Sequence, residues 1–219
     1  VEDPVEYQLE GINQVSIRPE IGLTFASCLR SILRQDPDII MVGEIRDFDT
    51  VDIAIKSALT GHLVLSTLHT TTAAGSVVRL MNMGVEPFLI TSSVICLINQ
   101  RLVRKICDSC KESYALTDVM IESLEIKHSK GPILAYRGRG CKRCFNIGYS
   151  GRIVIGEVLI FTPAIKELVL KRAQESELKA AARCCGMQTL RENGVLKVLE
   201  GVTTLDEILR VTAPDEPVK

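Results

Sequence analysis

The pattern of apolar and polar residues predicts alternating strands and helices in the first half of the chain. Four consecutive apolar residues at 39–42, bounded by Pro37 and Gly43, are too few for a free helix and suit a strand buried on both faces. A second short apolar run at 63–65 has the same character, and residues 51–59 between them show helical spacing. This order of strand and helix predicts a mainly parallel sheet with helices on both faces.

Cap and stop residues set the ends of the predicted helices. Thr24 is a suitable N-cap for a helix that ends before Pro37, and Asp47 or Asp49 can cap the helix that Gly61 closes. The other elements predicted from spacing are a strand or hairpin at 12–18, helices at 72–83 and 88–103, a strand at 152–161, helices at 164–173, 177–184, 190–199 and 205–211, and a disordered tail at 214–219.

The sequence changes character between residues 107 and 151. Apolar periodicity fades there, and Gly, Lys and Cys become frequent. The predicted organisation is therefore an α/β core portion at 1–106, a tetracysteine subdomain at 107–151, and a strand with a C-terminal helical subdomain at 152–219.

Composition narrows the class of protein. The 219 residues are 46% hydrophobic, which is ample for a core, and the formal charge of −1 provides no general attraction to nucleic acid or an anionic membrane. Any such contact would need a local patch. Basic residues do cluster, with a solvated surface as the ordinary interpretation and a polyanion site as the alternative. The clusters are Arg101, Arg104, Lys105 and Lys111, and Arg137, Arg139, Lys142, Arg143 and Arg152.

The sequence predicts a cytoplasmic protein. It has no run of roughly 20 apolar residues and no secretory signal pattern. It opens without Met on an acidic, loop-like stretch, which indicates a fragment of a longer polypeptide.

Four of the eight cysteines have metal-ligand spacing. Cys107 and Cys110 form one pair and Cys141 and Cys144 another, and two such pairs together supply the four thiolates of a structural zinc site. Two redox pairs or chance spacing are the alternatives. Because the segment between the pairs has little core of its own, metal binding would supply its folding free energy. The other cysteines fall in apolar helical patterns and are predicted to be buried: Cys28, Cys96, Cys184 and Cys185.

Acidic and histidine residues follow the predicted strands. Glu44 comes at the carboxyl end of the strand at 39–42, where a nucleotide hydrolase places a carboxylate near Mg²⁺ and water; a surface Glu opening a loop is the alternative. Thr67 and His69 end the next strand, where polar side chains can sense a terminal phosphate. Glu6 adds a carboxylate on a loop. These groups predict a Mg²⁺ and water site for phosphoryl transfer.

Three further residues have weaker signals. His62 and His69 bracket one strand, where a histidine is often structural. Arg30 and Arg34 lie four apart on a predicted helix, as a solvated stripe or as contacts to a phosphate or a neighbouring subunit. No phosphate-loop motif G-x-x-x-x-G-K-[ST] occurs in the sequence, so weak nucleotide binding is expected.

Several stretches resemble the sequence boxes of the secretion ATPase superfamily. Residues 1–7 resemble its Asp box, residues 39–47 its Walker B box, and residues 61–70 its His box, in the family's order and spacing. Residues 29–38 resemble the helix that leads into Walker B. The four cysteines and residues 140–152 are similar to the extension motors, the type II secretion ATPase (general secretory pathway protein E) and the type IV pilus assembly ATPase. The resemblance covers nearly the whole chain.

The resemblance implies the C-terminal portion of a RecA-like P-loop NTPase core that lacks Walker A, with a zinc-binding insertion and a C-terminal helical subdomain. By motif, Glu6 resembles the water-activating glutamate and Glu44 the Walker B glutamate, while His62 and His69 resemble residues that couple the γ-phosphate to subunit closure. The implied cofactors are ATP, Mg²⁺ and Zn²⁺. The implied partners are a homo-hexamer, an inner-membrane platform protein and the cytoplasmic domain of a membrane adaptor, at the inner membrane of a bacterium.

The resulting expectation is an ATP-hydrolysing motor of type II secretion or type IV pilus assembly, inactive as this fragment alone. One alternative is an inert zinc-containing scaffold subunit of the same machinery. Another is a nucleic-acid-binding zinc module, which the near-neutral charge disfavours.

Overall fold

The structure, a computed structural model, describes residues 1–123 and 131–214. The chain divides into two units, each with dense internal contacts: unit 1 is Val1–Leu97 with Leu159–Ala182, and unit 2 is Ile98–Val158 with Arg183–Lys219. These boundaries differ from those of the three predicted segments. The predicted disordered tail at 214–219 falls outside the described residues except for its first residue.

The elements of unit 1 come mainly from the first hundred residues. They are α1 (Phe25–Ile32), β1 (Ile39–Val42), α2 (Phe48–Leu59), β2 (Leu63–Ser66), α3 (Ala73–Asn82) and α4 (Pro87–Ser93), with α6 (Pro163–Leu170) and most of α7 (Glu175–Cys184) from the later part of the chain. The unit boundary falls within β3 (Cys96–Ile106) and β6 (Tyr149–Ile160). Since these two strands pair with each other, they form one two-stranded sheet.

The predicted helix caps in unit 1 are confirmed. Thr24 forms a capping box with Ser27 at the start of α1. The carboxylate of Asp47 accepts a hydrogen bond of 2.8 Å from the backbone N–H of Thr50 and so begins α2. Gly61 has φ +104, a conformation that Gly adopts readily, and it ends the turn between α2 and β2.

Two predicted elements are wrong. The apolar helix predicted at 88–103 ends at Ser93, and Val94 is already extended with φ −82 and ψ 126 ahead of β3. A run of β-branched and other apolar residues fits either element, and here the strand forms because β6 offers a partner. The strand or hairpin predicted at 12–18 is reduced to two isolated bridges, Glu2 with Ser16 and Arg18 with Leu23.

The parallel sheet is smaller than predicted. β1 and β2 pair in parallel, with Ile40 opposite Val64 and Val42 opposite Ser66. Ile40 and Val42 are buried, but the other face of these strands is exposed among the described residues, so the prediction of helices on both faces is wrong here. The apolar side chains on the exposed face are Ile39, Met41, Leu63 and Leu65.

Unit 2 has its own apolar core. Its further elements are β4 (Lys111–Ala115), α5 (Asp118–Ser123), β5 (Leu134–Gly138), α8 (Leu190–Leu199) and α9 (Leu205–Val211), and β4 pairs with β5 in antiparallel fashion. Both α8 and α9 have the predicted bounds, and each begins with a Thr N-cap. The buried cluster comprises Val103, Leu116, Ala135, Ile155, Val195, Val198, Leu205 and Ile208.

A buried ion pair fastens α9 to β3. The carboxylate of Glu207 is fully buried and accepts hydrogen bonds from the backbone N–H and the guanidinium of Arg104, at 3.0 and 2.6 Å, and from Arg210 at 2.7 Å. These cations, Arg210 first, lower the pKa of Glu207 to about 2 despite burial, which opposes the shift. Arg104 also stacks on Tyr149 at 4.1 Å, and the Tyr149 hydroxyl lies 2.7 Å from Thr204 Oγ1.

Candidate functional site

Glu44 is the centre of a small charged cluster at the carboxyl end of β1. One carboxylate oxygen forms an ion pair with the guanidinium of Arg46, and the other lies 2.9 Å from Nε2 of His69. The Glu44 side chain is only 12% exposed, whereas those of Arg46 and His69 are 63% and 79% exposed. The carboxylate therefore sits at the base of the cluster and its two partners lie toward solvent.

Hydrogen bonds between the two strand ends fix this arrangement. The backbone N–H of Ile45 donates to the carbonyl of Thr67 at 3.1 Å, and the Thr67 hydroxyl donates to the carbonyl of Gly43 at 2.6 Å. Gly43 itself lies close to the start of the chain, since its N–H donates to the carbonyl of Val1 at 2.8 Å. The loop after β1 and the loop after β2 are thus held together beside Glu44.

The loop that carries His69 is tied to α3. The hydroxyls of Thr70 and Ser76 lie 2.7 Å apart, and Thr72 caps α3 by accepting from the N–H of Gly75. The Thr72 hydroxyl donates to a carboxylate oxygen of Glu175 at 2.5 Å. A Cβ at position 75 would lie 2.7 Å from the Thr72 hydroxyl and 3.2 Å from that carboxylate, so the contact depends on glycine.

The electrostatics of the cluster keep Glu44 ionised. The hydrogen bond from Arg46, and to a smaller extent that from His69, hold the pKa of Glu44 below its usual range, although burial opposes them. A carboxylate with a lowered pKa is a poor proton acceptor at neutral pH but a good ligand for a hard cation and a good acceptor for an oriented water. The arrangement therefore suits metal binding or water positioning.

Two members of the cluster were missed in the sequence. Arg46 holds Glu44, and an oxygen of Asp3 lies 4.0 Å from the Arg46 guanidinium. Arg46 follows Glu44 by two residues, and in extended chain such residues point to the same side, which is a signal that could have found it. Asp3 has no comparable local signal, because its proximity comes from the pairing of the chain start with Gly43.

The structure brings His69, Thr67 and Glu44 together, and it places the remaining predicted residues elsewhere. Glu6 is exposed and forms no hydrogen bond or ion pair with the described members of the cluster. Nδ1 of His62 lies 3.0 Å from the carbonyl of Ser57, at the end of α2. His62 precedes β2 and His69 follows it, so the two histidines lie at opposite ends of a strand about 13 Å long.

Arg30 and Arg34 lie near the end of the first helical segment. Arg30 is in the last turn of α1, and Arg34 is in the 3₁₀ turn that follows. Both are exposed, and neither has an ion-pair partner within the described part of the chain. Their side chains are available to a ligand or a partner.

The four predicted metal ligands converge in unit 2. The sulfur atoms of Cys107, Cys110, Cys141 and Cys144 all lie within 4.8 Å of one another. The sulfur–sulfur distances include 4.0 Å (Cys107 to Cys141), 3.9 Å (Cys110 to Cys144) and 3.7 Å (Cys141 to Cys144), and all eight cysteines of the chain are free thiols. Tetrahedral zinc with Zn–S bonds of about 2.3 Å separates its sulfurs by about 3.8 Å, so the cluster fits zinc.

Backbone contacts build this site before any ion is considered. The N–H groups of Cys141 and Gly148 donate to the Cys144 sulfur, each at 3.3 Å, and lower the pKa of Cys144 to about 6 despite its burial. The chain entering the Cys141–Cys144 turn passes so close to the chain leaving it that a Cβ on Gly138 would collide with the carbonyl of Gly148. Such a closed, buried set of thiols suits a structural metal rather than a catalytic one.

Of the four other cysteines, one is buried as predicted and three are exposed. Cys28 is buried as expected, in α1. Cys96, Cys184 and Cys185 are exposed, so their predicted burial is wrong. Cys96 is exposed because it begins a strand rather than lying within the predicted apolar helix.

Among the described residues, no helix combines the length and the apolar character needed to cross a bilayer. This agrees with the sequence, which has no long uncharged apolar run.

Sequence relatives share most of this chain. A family profile described as type II/IV secretion system protein matches residues 1–210. The type IV pilus assembly ATPase PilB of Myxococcus xanthus is 50% identical over 216 residues, which is 98% of this chain and 38% of that protein. The type II secretion system protein E of Pseudomonas aeruginosa is 49% identical over 212 residues, 97% of this chain and 42% of that protein. The chain therefore spans about two fifths of these relatives.

Solved structures share the fold. The crystal structure of the pilus retraction motor PilT with bound ADP matches with a TM-score of 0.65 and 28% identity, over 98% of this chain and 51% of that one. The ATPase DotB of Legionella pneumophila matches with a TM-score of 0.62 over 95% of this chain and 49% of that one, and at 22% identity it supports the α/β fold alone. By the profile match across residues 1–210 and the identity to both relatives, the chain belongs to the type II/IV secretion system protein family.

Proposed function

We propose that this chain is part of an ATP-hydrolysing motor that powers type II protein secretion or type IV pilus assembly. The observation that carries the proposal is the Glu44 cluster, where a mostly covered carboxylate, a histidine and an arginine meet at the carboxyl ends of two adjacent parallel strands. That edge of an α/β sheet is where ligands bind. The names of the relatives, a pilus assembly ATPase and a secretion protein E, point to the same activity.

In the proposed mechanism, Glu44 holds Mg²⁺ or orients the attacking water. Its lowered pKa keeps it as a carboxylate, so its role is electrostatic and positional rather than that of a strong base. His69 contacts the same carboxylate and reports on the phosphate end of the nucleotide, and Thr67 fixes the loop that carries His69. Mg²⁺ supplies charge neutralisation of the phosphate oxygens when it is bound.

Arg46 is proposed to hold Glu44 in place until the nucleotide arrives. Because its guanidinium is more than half exposed, it can leave the carboxylate for a phosphate oxygen at little cost in packing. Asp3 lies close enough to keep Arg46 at this edge of the sheet. If Arg46 moved from the Glu44 carboxylate to a phosphate oxygen, nucleotide binding would free that carboxylate for Mg²⁺ or water.

The remaining site residues stay predictions. Glu6 is proposed to activate water, and Arg30 and Arg34 to reach a phosphate or a neighbouring subunit, which their exposure permits. His62 is proposed to act on nucleotide through the end of α2 that it contacts. The tetracysteine site is proposed to hold a structural Zn²⁺ that stabilises the segment 107–151, with no part in hydrolysis.

The architecture and partners of the whole motor are also part of the proposal. We propose a RecA-like core at 1–106, a zinc-binding insertion at 107–151 and a helical subdomain at 152–219, working as a homo-hexamer in the cytoplasm at the inner membrane. A platform protein and a membrane adaptor would receive the movement. The relatives' membership of pilus and secretion machineries supports this assembly.

A second candidate is a zinc-containing scaffold that does not hydrolyse ATP. The 219 residues contain no phosphate-loop motif to cradle a triphosphate, so the scaffold is the alternative if the full-length protein also lacks that motif. In that case the ion pair of Glu44 with Arg46 would be permanent and structural.

Mg²⁺-dependent ATP hydrolysis by the natural full-length protein separates the candidates. Glu44→Gln keeps the size of the side chain but removes its charge, so turnover is expected to fall at least 100-fold while ATP binding is largely retained. The matched control is Glu86→Gln, an exposed glutamate whose contact is a surface ion pair with Arg172. Full turnover in Glu44→Gln would remove Glu44 from the mechanism, and no hydrolysis by the unmodified protein would reject the motor in favour of the scaffold.

A further inference from the structure

The turn after Cys144 carries the most exposed large apolar side chain among the described residues. Phe145 is 87% exposed, and Ile147, two residues on, is 61% exposed. Phe145 and Asn146 both have positive φ, +52° and +62°, a backbone region that a bulky side chain such as Phe disfavours. Two apolar side chains are therefore exposed to water, and one of them, Phe145, has a backbone conformation that Gly or Asn would adopt more easily.

This turn is firmly held. The N–H of Phe145 donates to the carbonyl of Lys142 at 3.3 Å, that of Asn146 to Cys141 at 2.9 Å, and that of Ile147 to Cys144 at 3.1 Å. The exposure is thus a property of an ordered turn. Backbone strain of this kind that the surroundings maintain is most often found at functional sites.

The same turn lies in a strongly basic stretch. Residues 137–152 contain five cations and neither Asp nor Glu, although the whole chain has a net charge of −1. All five are exposed: Arg137, Arg139, Lys142, Arg143 and Arg152.

Two of these cations have contacts within unit 2, since Arg137 pairs with Glu112 at 2.8 Å and Arg143 reaches the hydroxyl of Ser109 at 3.2 Å. Arg139, Lys142 and Arg152 have no acidic partner in the described part of the chain. A tetrathiolate zinc centre is doubly negative, so it would balance only some of this charge. Neutralisation of charge by the zinc centre would also not explain why Phe145 and Ile147 are exposed.

We propose that residues 137–152, named here the Phe145 tip, dock on the surface of an anionic lipid bilayer. Phe145 and Ile147 would enter the boundary between headgroups and acyl chains, and the cations would contact the lipid phosphates. Two neighbouring apolar side chains among exposed cations match the surface of an anionic bilayer, where apolar acyl chains lie beneath negatively charged headgroups.

The other polyanion that such a surface could meet is nucleic acid, and the tip fits it less well. Single strands bind by stacking successive bases on aromatic rings. Ile147 has no ring, and the nearest aromatic residue in sequence, Tyr149, is already occupied by Arg104 and by Thr204. An interface that needs apolar insertion rather than stacking favours lipid. This inference concerns unit 2 and does not depend on ATP hydrolysis.

Flotation of the zinc-loaded chain with lipid vesicles tests the proposal. Vesicles of phosphatidylcholine with about a third phosphatidylglycerol are expected to bind the chain at low salt, and pure phosphatidylcholine vesicles are not. Raising NaCl to about 0.5 M should release the chain, since the Debye length falls to a few ångströms. Metal content is measured for every variant, because the tip lies within the cysteine loop.

Substitutions at the tip then separate its two parts. Phe145→Ser should lower the partition coefficient of the chain onto anionic vesicles at least fivefold. Phe145→Leu should retain it, because leucine also enters lipid. Lys142→Glu should lower it at least tenfold, since each cation near an anionic surface contributes about fivefold. Matched controls outside the tip are Phe88→Ser and Lys171→Glu, at an exposed Phe and an exposed Lys of unit 1, and both should bind as the unmodified chain does.

Four results would overturn the proposal. These are no binding to anionic vesicles, equal binding to neutral ones, equal losses in the controls, and a Phe145→Ser variant with full metal content that binds vesicles normally. Titration of a fluorescent single-stranded oligonucleotide completes the test. Oligonucleotide binding that is sensitive to Phe145→Ser, without vesicle binding, would assign the tip to nucleic acid instead.

Discussion

The tetracysteine site and the Glu44 cluster are both built where two segments of chain meet, yet they are held together in different ways. The cysteines are positioned by backbone contacts: N–H groups point at the Cys144 sulfur, and glycines let the two sides of the Cys141–Cys144 turn pass close together. In the Glu44 cluster, backbone hydrogen bonds align the two loops, but the charged side chains hold one another, and two of the three, Arg46 and His69, are mostly exposed.

This difference indicates two kinds of ligand. A site that backbone geometry has set in advance has little to rearrange when an ion enters, which suits a ligand that stays. A site whose carboxylate already has partners must exchange those partners when a ligand arrives, which suits a ligand that is bound and released. The first description fits a structural metal and the second fits a nucleotide that is turned over.

Cys141→Ser tests the preset site and has the largest expected effect. With one of four thiolates removed, zinc affinity should fall by orders of magnitude and the segment 107–151 should lose protection against hydrogen exchange. Zinc content and amide exchange are the measurements. Cys184→Ser, at an exposed thiol outside the cluster, is the control and should keep its zinc. Unchanged metal stoichiometry in Cys141→Ser would refute the site.

Glu207→Gln tests whether unit 2 also depends on a preset buried charge. The change leaves Arg104 and Arg210 without their common carboxylate, so the free energy of unfolding should fall by about 3 kcal/mol at pH 7. Because the pKa of Glu207 is lowered from 4.5 to about 2, its stabilisation is complete above the unfolded value and is lost as the pH falls toward 2.

Denaturant unfolding of the Glu207 variant and the unmodified chain at several pH values is the measurement. Their stabilities should converge between pH 4.5 and 2. A constant difference across that range would mean that the carboxylate acts through packing rather than charge. Glu200→Gln, at a surface pair with Lys197, is the matched control and should cost less than about 1 kcal/mol.

His69→Ala tests the exchangeable cluster in the full-length protein. If His69 reports on the phosphate end, turnover should fall about tenfold to 100-fold while the KM for ATP changes little. Steady-state kinetics provides both values. His62→Ala, at the other end of β2, is the comparison, and its contacts with Ser57 and Thr60 predict a loss of stability as its larger effect. Equal losses of affinity and turnover in His69→Ala would indicate a structural role.

Thr72 and Glu175 give the smallest expected effect. Removing Glu175 from their 2.5 Å hydrogen bond should cost about 1 kcal/mol of stability, because the bond is exposed, and Thr72→Ala should cost more because it also removes the N-cap of α3. A double-mutant cycle with Thr72→Ala and Glu175→Ala measures the coupling. Strict additivity of the two single effects would show that the contact does not stabilise the loop that carries His69.

The parts that the sequence predicted are those with local causes. The bounds of α8 and α9 follow from the Thr N-caps at 189 and 204, and the cysteine cluster follows from spacing alone. The place of His69 beside Glu44 followed from the rule that parallel strands end at the same edge.

The parts that the sequence did not predict depend on distant contacts. Residues 96–103 lie in β3 because β6 pairs with that strand, although their apolar pattern also fits the predicted helix. The exposure of Met41 depends on what covers the sheet and not on Met41 itself. Arg46 looked like an ordinary loop cation, and Asp3 reaches it only through the path of the chain beside Gly43.

The close backbone approach of Gly138 and Gly148 limits which substitutions this protein can accept during evolution. Each glycine occupies the space that a methyl group on the other would need, and neither can shrink further to accommodate a larger neighbour. No compensating substitution at the partner position is therefore available to a lineage that has lost one of them. In a library of all single replacements selected for folding, variants that replace Gly138 should be depleted as strongly as variants that replace Gly148. Neither residue offers a ligand atom to a metal or a nucleotide.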